Sequence, residues 1–222
     1  MVKDKKNIGK YLHANKSLLL FIVLMSVFRS AVADWYTIPT SSMMPTIEVG
    51  DRITVNKMAY DIRIPFTNTA IVQLNDPQRG EIIVFNSKAA DKRLIKRVIA
   101  LPGDSVSMSN DMLTINGQKA SYSSINETSI DFIEQESIYG NKRNIRFDKH
   151  AQSPLASFST VIVPKDHYLV LGDNRRNSAD SRVYGFVPRN ELLGRAGYVA
   201  FSLNYNNYYI PKIERFIKNL NL

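Results

Sequence analysis

Ser42 lies in the run Ile38-Pro39-Thr40-Ser41-Ser42-Met43-Met44-Pro45-Thr46, a few residues after an apolar N-terminal stretch. A hydroxyl on a Pro-bounded turn is a candidate nucleophile, although serines beside proline most often bond local backbone. Ser41 competes with Ser42 for the role. A serine that cuts an amide needs a base to take its proton and donors for the oxyanion. The three histidines (His13, His150 and His167) stand far apart and cysteine is absent, so neither a His-based triad nor a metal site has local support. Lysine is the next candidate base, since Ser-Lys pairs are a variant of the triad logic. Free lysine titrates near about 10.4 and is protonated at neutral pH; burial lowers that value, and reaching about 8 costs roughly 3 kcal/mol.

Lys96 is the lysine placed for this. On a strand, Leu94, Lys96 and Val98 share one face, and Ile95, Arg97 and Ile99 share the other. Lys96 therefore has apolar neighbours, and the like charge of Arg97 points away. Local pattern alone favours an edge-strand lysine that discourages aggregation.

The elements that must position these groups are mostly strands. Arg52 to Asn56 alternates, Glu81 to Phe85 and Arg93 to Leu101 are short apolar runs, and Pro102-Gly103-Asp104 ends the latter. Met112 to Ala120 carries Asn116-Gly117, a type I′ hairpin signal. Val161 to Val163, Tyr168 to Leu171 and Gly197 to Leu203 complete the set. The expected fold is mainly β: an antiparallel catalytic domain, residues 35–222, with a smaller β insertion at about 105–160, where Ser, Asn and charge accumulate. Ile210, Ile213, Phe216, Ile217 and Leu220 fit one helical face, so a packed terminal helix is expected.

At 222 residues the chain has room for an anchor and one sizeable domain. The net charge is +9, but the basic residues form no stripe and no nucleic-acid motif occurs, so no nucleic-acid partner is expected. No cofactor or metal is expected either. Lys3, Lys5, Lys6, Lys10 and Lys16 precede the apolar residues Leu18 to Phe28 and read as a topology signal. A span needs about 20 residues; counting from Ser17 to Ala33 reaches the lower limit, with Arg29 snorkelling and Trp35 and Tyr36 at headgroup level. The expectation is a cytoplasmic N-terminus (1–16), one transmembrane helix (17–34) and an exported domain. Ala31-Val32-Ala33 also fits a cleavable secretory signal; the short spacing to Ser42 favours a retained anchor.

The run around Ser42 resembles the nucleophile box of bacterial type I signal peptidases, membrane enzymes that cut signal peptides from exported proteins. Lys96-Arg97-Val98-Ile99-Ala100-Leu101-Pro102-Gly103-Asp104 resembles that family's lysine box. Gly172-Asp173-Asn174-Arg175 through Ser178, Asp180, Ser181 and Arg182 resembles its C-terminal box. The resemblance implies Ser42 as nucleophile, Lys96 as general base, and an oxyanion hole from the Ser42 N–H and the Thr40 hydroxyl. It implies that Ser178 hydrogen-bonds the Lys96 amine and that Asp180 and Arg182 form a supporting ion pair. Thr40 and Ser41 stand where the family usually has Ser and often Gly, and Ala100 where it usually has Gly, a departure that would strain a backbone needing glycine. The family accepts small side chains at the first and third positions before the cut. Pro39, Met43 and Ile95 are candidate walls for them, with the substrate adding as a strand beside Ile38.

The function expected is a Ser/Lys endopeptidase of the bacterial inner membrane, facing outward, with signal peptides and the lipid bilayer as partners. A pilin- or conjugation-type maturation peptidase of the same chemistry and a non-catalytic, membrane-tethered peptide-binding β module are the alternatives.

Overall fold

The computed structural model describes residues 14–67, 69–151 and 154–220; most of the basic N-terminal segment lies outside them. The apolar residues form helix α1 (Lys16–Ala31), none of whose side chains is buried. The helix stops short of the expected 17–34 boundary. Lys57 Nζ caps its end, donating to the carbonyls of Arg29 (2.7 Å) and Ser30 (3.3 Å), where a cation suits the orphan carbonyls. The next residues are drawn into strand β1 (Ala33–Thr37), which pairs in antiparallel register with β2 (Asp51–Asn56). Sixteen helical residues rise about 24 Å, less than the roughly 30 Å hydrocarbon core. Among the described residues no helix is long and apolar enough to cross a membrane.

The rest is antiparallel β structure, as the alternating runs require. After the hairpin β3 (Asp61–Arg63) and β4 (Ala70–Gln73) come β5 (Ile82–Ser87) and β6 (Lys92–Ala100), the strand that carries Lys96. Beyond β6 the chain builds two smaller sheets. One comprises β7 (Ser105–Ser109), β8 (Met112–Ile115), β9 (Gln118–Lys119) and β13 (Phe158–Ile162), and the other β10 (Ser121–Glu127), β11 (Asp131–Ile138) and β12 (Asn141–Asp148). Asn116 and Gly117 both take positive φ (48° and 78°) in the two-residue turn between β8 and β9, the backbone a type I′ hairpin demands. The chain then returns through β14 (His167–Leu171), β15 (Val187–Pro188) and β16 (Leu192–Asn204). The main sheet runs β1-β2-β16-β5-β6-β14-β15.

That sheet is buried on both faces. Ile82 and Val84 of β5 pack with Ile38, Met43, Ile47 and Ile53, whereas Ile83 and Phe85 pack with Val98, Tyr168 and Val170. Ala100 is fully buried in extended β6, paired with Leu169, and is not among the residues with positive φ. Its methyl therefore packs without the strain expected of a position needing glycine.

The terminal helix expected at Ile210 to Leu220 does not form. In its place are β17 (Ile210–Pro211), a 3-10 turn (Ile213–Arg215) and β18 (Lys218–Asn219), with both strands paired to β16. Ion pairing overrides the helical periodicity: Arg215 grips buried Asp51 through Nε (2.8 Å) and Nη2 (2.5 Å), and Glu48 through Nη1 (2.7 Å). Leu220 enters the core, while Ile213 and Ile217 remain 77% and 76% exposed.

Candidate active site

Ser42 sits on the turn that joins β1 to β2, and β6 brings Lys96 to it. Lys96 Nζ donates to Ser42 Oγ at 2.8 Å and to the Ile95 carbonyl at 3.0 Å. Lys96 is 3% exposed. Burial pulls its pKa from the ordinary 10.5 down to about 8; the charges of Asp180 and Asp173 oppose the shift, and those of Lys92 and Arg182 assist it. An amine in that state is neutral in a useful fraction of molecules near pH 8, as a general base requires.

The competing hydroxyl is turned elsewhere. Ser41 Oγ accepts from Asn177 Nδ2 (3.2 Å), and its carbonyl accepts from Asn174 Nδ2 (3.1 Å). The Asn174 N–H donates to the Ser42 carbonyl at 3.1 Å. Both asparagines belong to the Gly172–Asp180 segment, which the fold uses as a clamp on the nucleophile turn. Among the described residues the Ser42 N–H has no backbone acceptor, which leaves it available as an oxyanion donor. Thr40 is exposed on the rim of the same cleft.

Arg97 alternates to the other side of β6, as expected, but is buried there. Its Nε and Nη2 make a bidentate contact with Asp173 (2.8 and 2.6 Å), and Thr46 Oγ1 donates to Asp173 Oδ2 at 2.5 Å. A charged residue on an alternately buried strand needs a carboxylate, and that was the available sequence signal. The insertion holds the same segment from outside. Arg175 and Arg143 share Glu136, with Arg175 Nη1 and Nη2 donating to its oxygens at 2.6 Å each and Tyr122 OH to Oε1 at 2.7 Å. Burial acts to raise the Glu136 pKa, but the two guanidiniums overcome it and pull the carboxyl down to about 2. The Arg146 N–H of β12 donates to the Asp173 carbonyl at 2.8 Å.

Asp180 and Arg182 form a buried pair, with Arg182 Nε and Nη2 donating at 2.9 and 2.8 Å. Asp180 also accepts from the Gly172 N–H at 3.0 Å. Burial acts to raise its pKa, yet the Arg182 contact holds it below the ordinary carboxylate value. The pair is therefore part of the buried structure rather than a surface salt bridge. Ser178 differs from expectation: its Oγ is buried without a hydrogen-bond partner of normal geometry, and it does not bond the Lys96 amine.

A cleft of about 540 Å³ runs along Ser42 and Lys96, and Ile38, Pro39, Thr40, Met43 and Ile95 all line it. Tyr36, Ile47, Lys92, Arg93 and Leu94 join them; the motifs gave no signal for these. Among the described residues no group of His, Asp and Glu is arranged to hold a metal ion.

Comparison with known proteins agrees with this chemistry. The family model "Signal peptidase, peptidase S26" matches residues 11–201. The chain is 36% identical to a probable signal peptidase I-2 of Synechocystis, over 87% of this chain and 75% of that protein. It is 34% identical to signal peptidase I of Pseudomonas aeruginosa, over 80% and 67%. It is also 30% identical to signal peptidase I T of Bacillus subtilis, over 90% of each. A serine hydroxyl paired with a buried lysine in an open cleft is the equipment of a peptidase, and with these matches the chain belongs to the signal peptidase, peptidase S26 family of serine peptidases.

Proposed function

We propose that this protein removes N-terminal signal peptides from exported preproteins at a bilayer surface, with Ser42 as nucleophile and Lys96 as general base. The observation that carries this reading is the 2.8 Å contact between Ser42 Oγ and a buried Lys96 Nζ. With the amine neutral, the contact reverses and the hydroxyl donates to the Nζ lone pair. Lys96 takes that proton as Oγ attacks the scissile carbonyl carbon. The Ser42 N–H and the Thr40 hydroxyl stabilise the oxyanion. The Lys96 ammonium then protonates the leaving nitrogen, the C–N bond breaks, and the signal peptide remains as an ester on Ser42. Lys96 next deprotonates a water that attacks the ester; collapse returns a proton to Ser42 and frees the new carboxyl end. Asp180, with Arg182, fixes the Gly172 N–H and the loop that carries Ser178, and these are positioning residues.

The substrate extends along β6, with small side chains one and three residues before the cut against Ile38, Pro39, Met43 and Ile95. Bilayer association is supported by α1, an apolar helix with no buried residue, whose exposed apolar side chains from Leu18 to Met25 suit lipid. Trp35 (50% exposed) follows it, with the Arg29 guanidinium 4.0 Å over its ring. The topology that fits puts the N-terminus in the cytoplasm and the β domain outside the inner membrane.

Incubating the detergent-solubilised protein with a preprotein and sequencing the new N-terminus tests this. Cleavage after an Ala-x-Ala-type sequence is expected, lost in Ser42→Ala and retained in Ser41→Ala. Peptide binding that survives Ser42→Ala, without any cleavage by the parent protein, would instead identify a binding module.

A further inference from the structure

The upstream end of the cleft is cationic. Lys92 and Arg93 open β6, are exposed, and line the cavity that holds Ser42 and Lys96. Arg93 is held in place: its guanidinium lies 4.5 Å over the Tyr36 ring, and Nε donates to Asn86 Oδ1 at 3.2 Å. Lys92 Nζ lies 5.8 Å from the Tyr184 ring. Neither contact neutralises a charge. Asp34, the carboxylate near Tyr36, is taken by Arg29 (2.8 Å) and Lys57 (3.3 Å), and Asp180 by Arg182. Lys92 is close enough to the catalytic pair for its charge to help lower the Lys96 pKa.

The same end of β6 offers an open edge. One side of Lys92–Arg97 is paired with β5, but β14 covers the other side only from Arg97 onward. A peptide strand added there with its scissile carbonyl at Ser42 passes the apolar walls first. At about 3.3 Å per residue, its residues roughly four to six positions before the cut come alongside Arg93 and Lys92.

We propose that Arg93 and Lys92 form an electrostatic subsite that favours an acidic side chain, and disfavours a basic one, about four to six residues before the cut. The inference rests on the signal-peptide reading above and adds a selectivity to it. Charge repulsion at this position sorts substrates by rejection as much as by attraction.

The test uses the full-length solubilised protein and peptides with alanine at the first and third positions before the cut. Glu, Gln or Lys is placed in turn at each of the fourth, fifth and sixth positions. At one or more of these, kcat/KM is expected to fall in the order Glu, Gln, Lys by about two- to fivefold per step, as for an exposed charge pair, with the spread shrinking at high salt. In the double variant Lys92→Gln with Arg93→Gln the Glu/Gln and Lys/Gln ratios should both approach one. Ratios within one preparation are insensitive to how much of the variant folds. Equal rates for the three peptides at every position, or an order that survives the double substitution, overturns the subsite and leaves the peptidase standing. No cleavage of any peptide removes the peptidase reading and the subsite with it.

Discussion

Gly172 approaches Ser42 so closely that no side chain fits between them. A Cβ built on Gly172 would overlap the Ser42 carbonyl oxygen and the Ser178 hydroxyl. The same glycine donates its N–H to Asp180, and Asn174, two residues on, donates its N–H to the Ser42 carbonyl. The strand-end segment and the nucleophile turn are thus packed backbone against backbone.

Gly172→Ala is expected to push the nucleophile turn away from β6. Overpacking of this kind costs about 1–3 kcal/mol, and a displacement near 1 Å at a nucleophile can cost on the order of 100-fold in rate. The expected result is a folded protein with a modestly lower urea midpoint and a much lower kcat on a preprotein. Full activity would show that the turn tolerates the shift.

Lys96 burdens the fold that it serves. Its folded pKa of about 8 lies below the ordinary 10.5, so between those values the unfolded chain binds more protons and stability rises with pH. Below about pH 8 the penalty is present in full, about 3 kcal/mol at roughly 1.4 kcal/mol per unit. Lys96→Met should therefore abolish cleavage and raise the melting temperature at pH 7. The gain should shrink as pH rises from about 8 toward 10.5. In the unmodified enzyme kcat/KM should climb through an apparent pKa near 8. A melting temperature at pH 7 that falls on substitution, or activity that rises only near pH 10, would contradict a desolvated base.

The Arg97–Asp173 pair holds the face of β6 opposite the catalytic lysine. Both groups are about 1% exposed, so removing one leaves the other buried and unpaired. Asp173→Leu or Arg97→Met alone should cost about 3–5 kcal/mol, and the double variant Arg97→Met with Asp173→Leu should recover much of it. Denaturant midpoints for all three, combined as a double-mutant cycle, measure the coupling. Additive losses would mean that the two side chains support the site independently.

Local pattern nominates the candidates for the site, and the family resemblance chooses among them. Turn chemistry around Ser42, alternation around Lys96, the Asn116-Gly117 hairpin and the short apolar runs are short-range signals. They led to the antiparallel β class and, with the family resemblance, to the two residues now found 2.8 Å apart. The resemblance also marked Asp180 with Arg182, which the fold buries as a pair.

Other features depend on partners distant in sequence. Ser41 and Ser42 are equivalent as neighbours; Asn177 takes the hydroxyl of one and Lys96 that of the other, across 136 and 54 residues respectively. The helical periodicity of Ile210 to Leu220 is real, but Arg215 reaches back to Asp51 and holds the chain extended along β16. The apolar run from Ser17 to Ala33 gave no mark where its helix stops, because Lys57 and the pairing with β2 set that end. The polar stretch from Ser105 to Thr160 read as a smaller β insertion, with no sign that its Glu136, paired with Arg175, braces the active-site loop. Side-chain periodicity specifies which faces can be buried, whereas buried charges and backbone contacts choose their partners only when the sheets assemble, and at those points the tertiary structure decided the site.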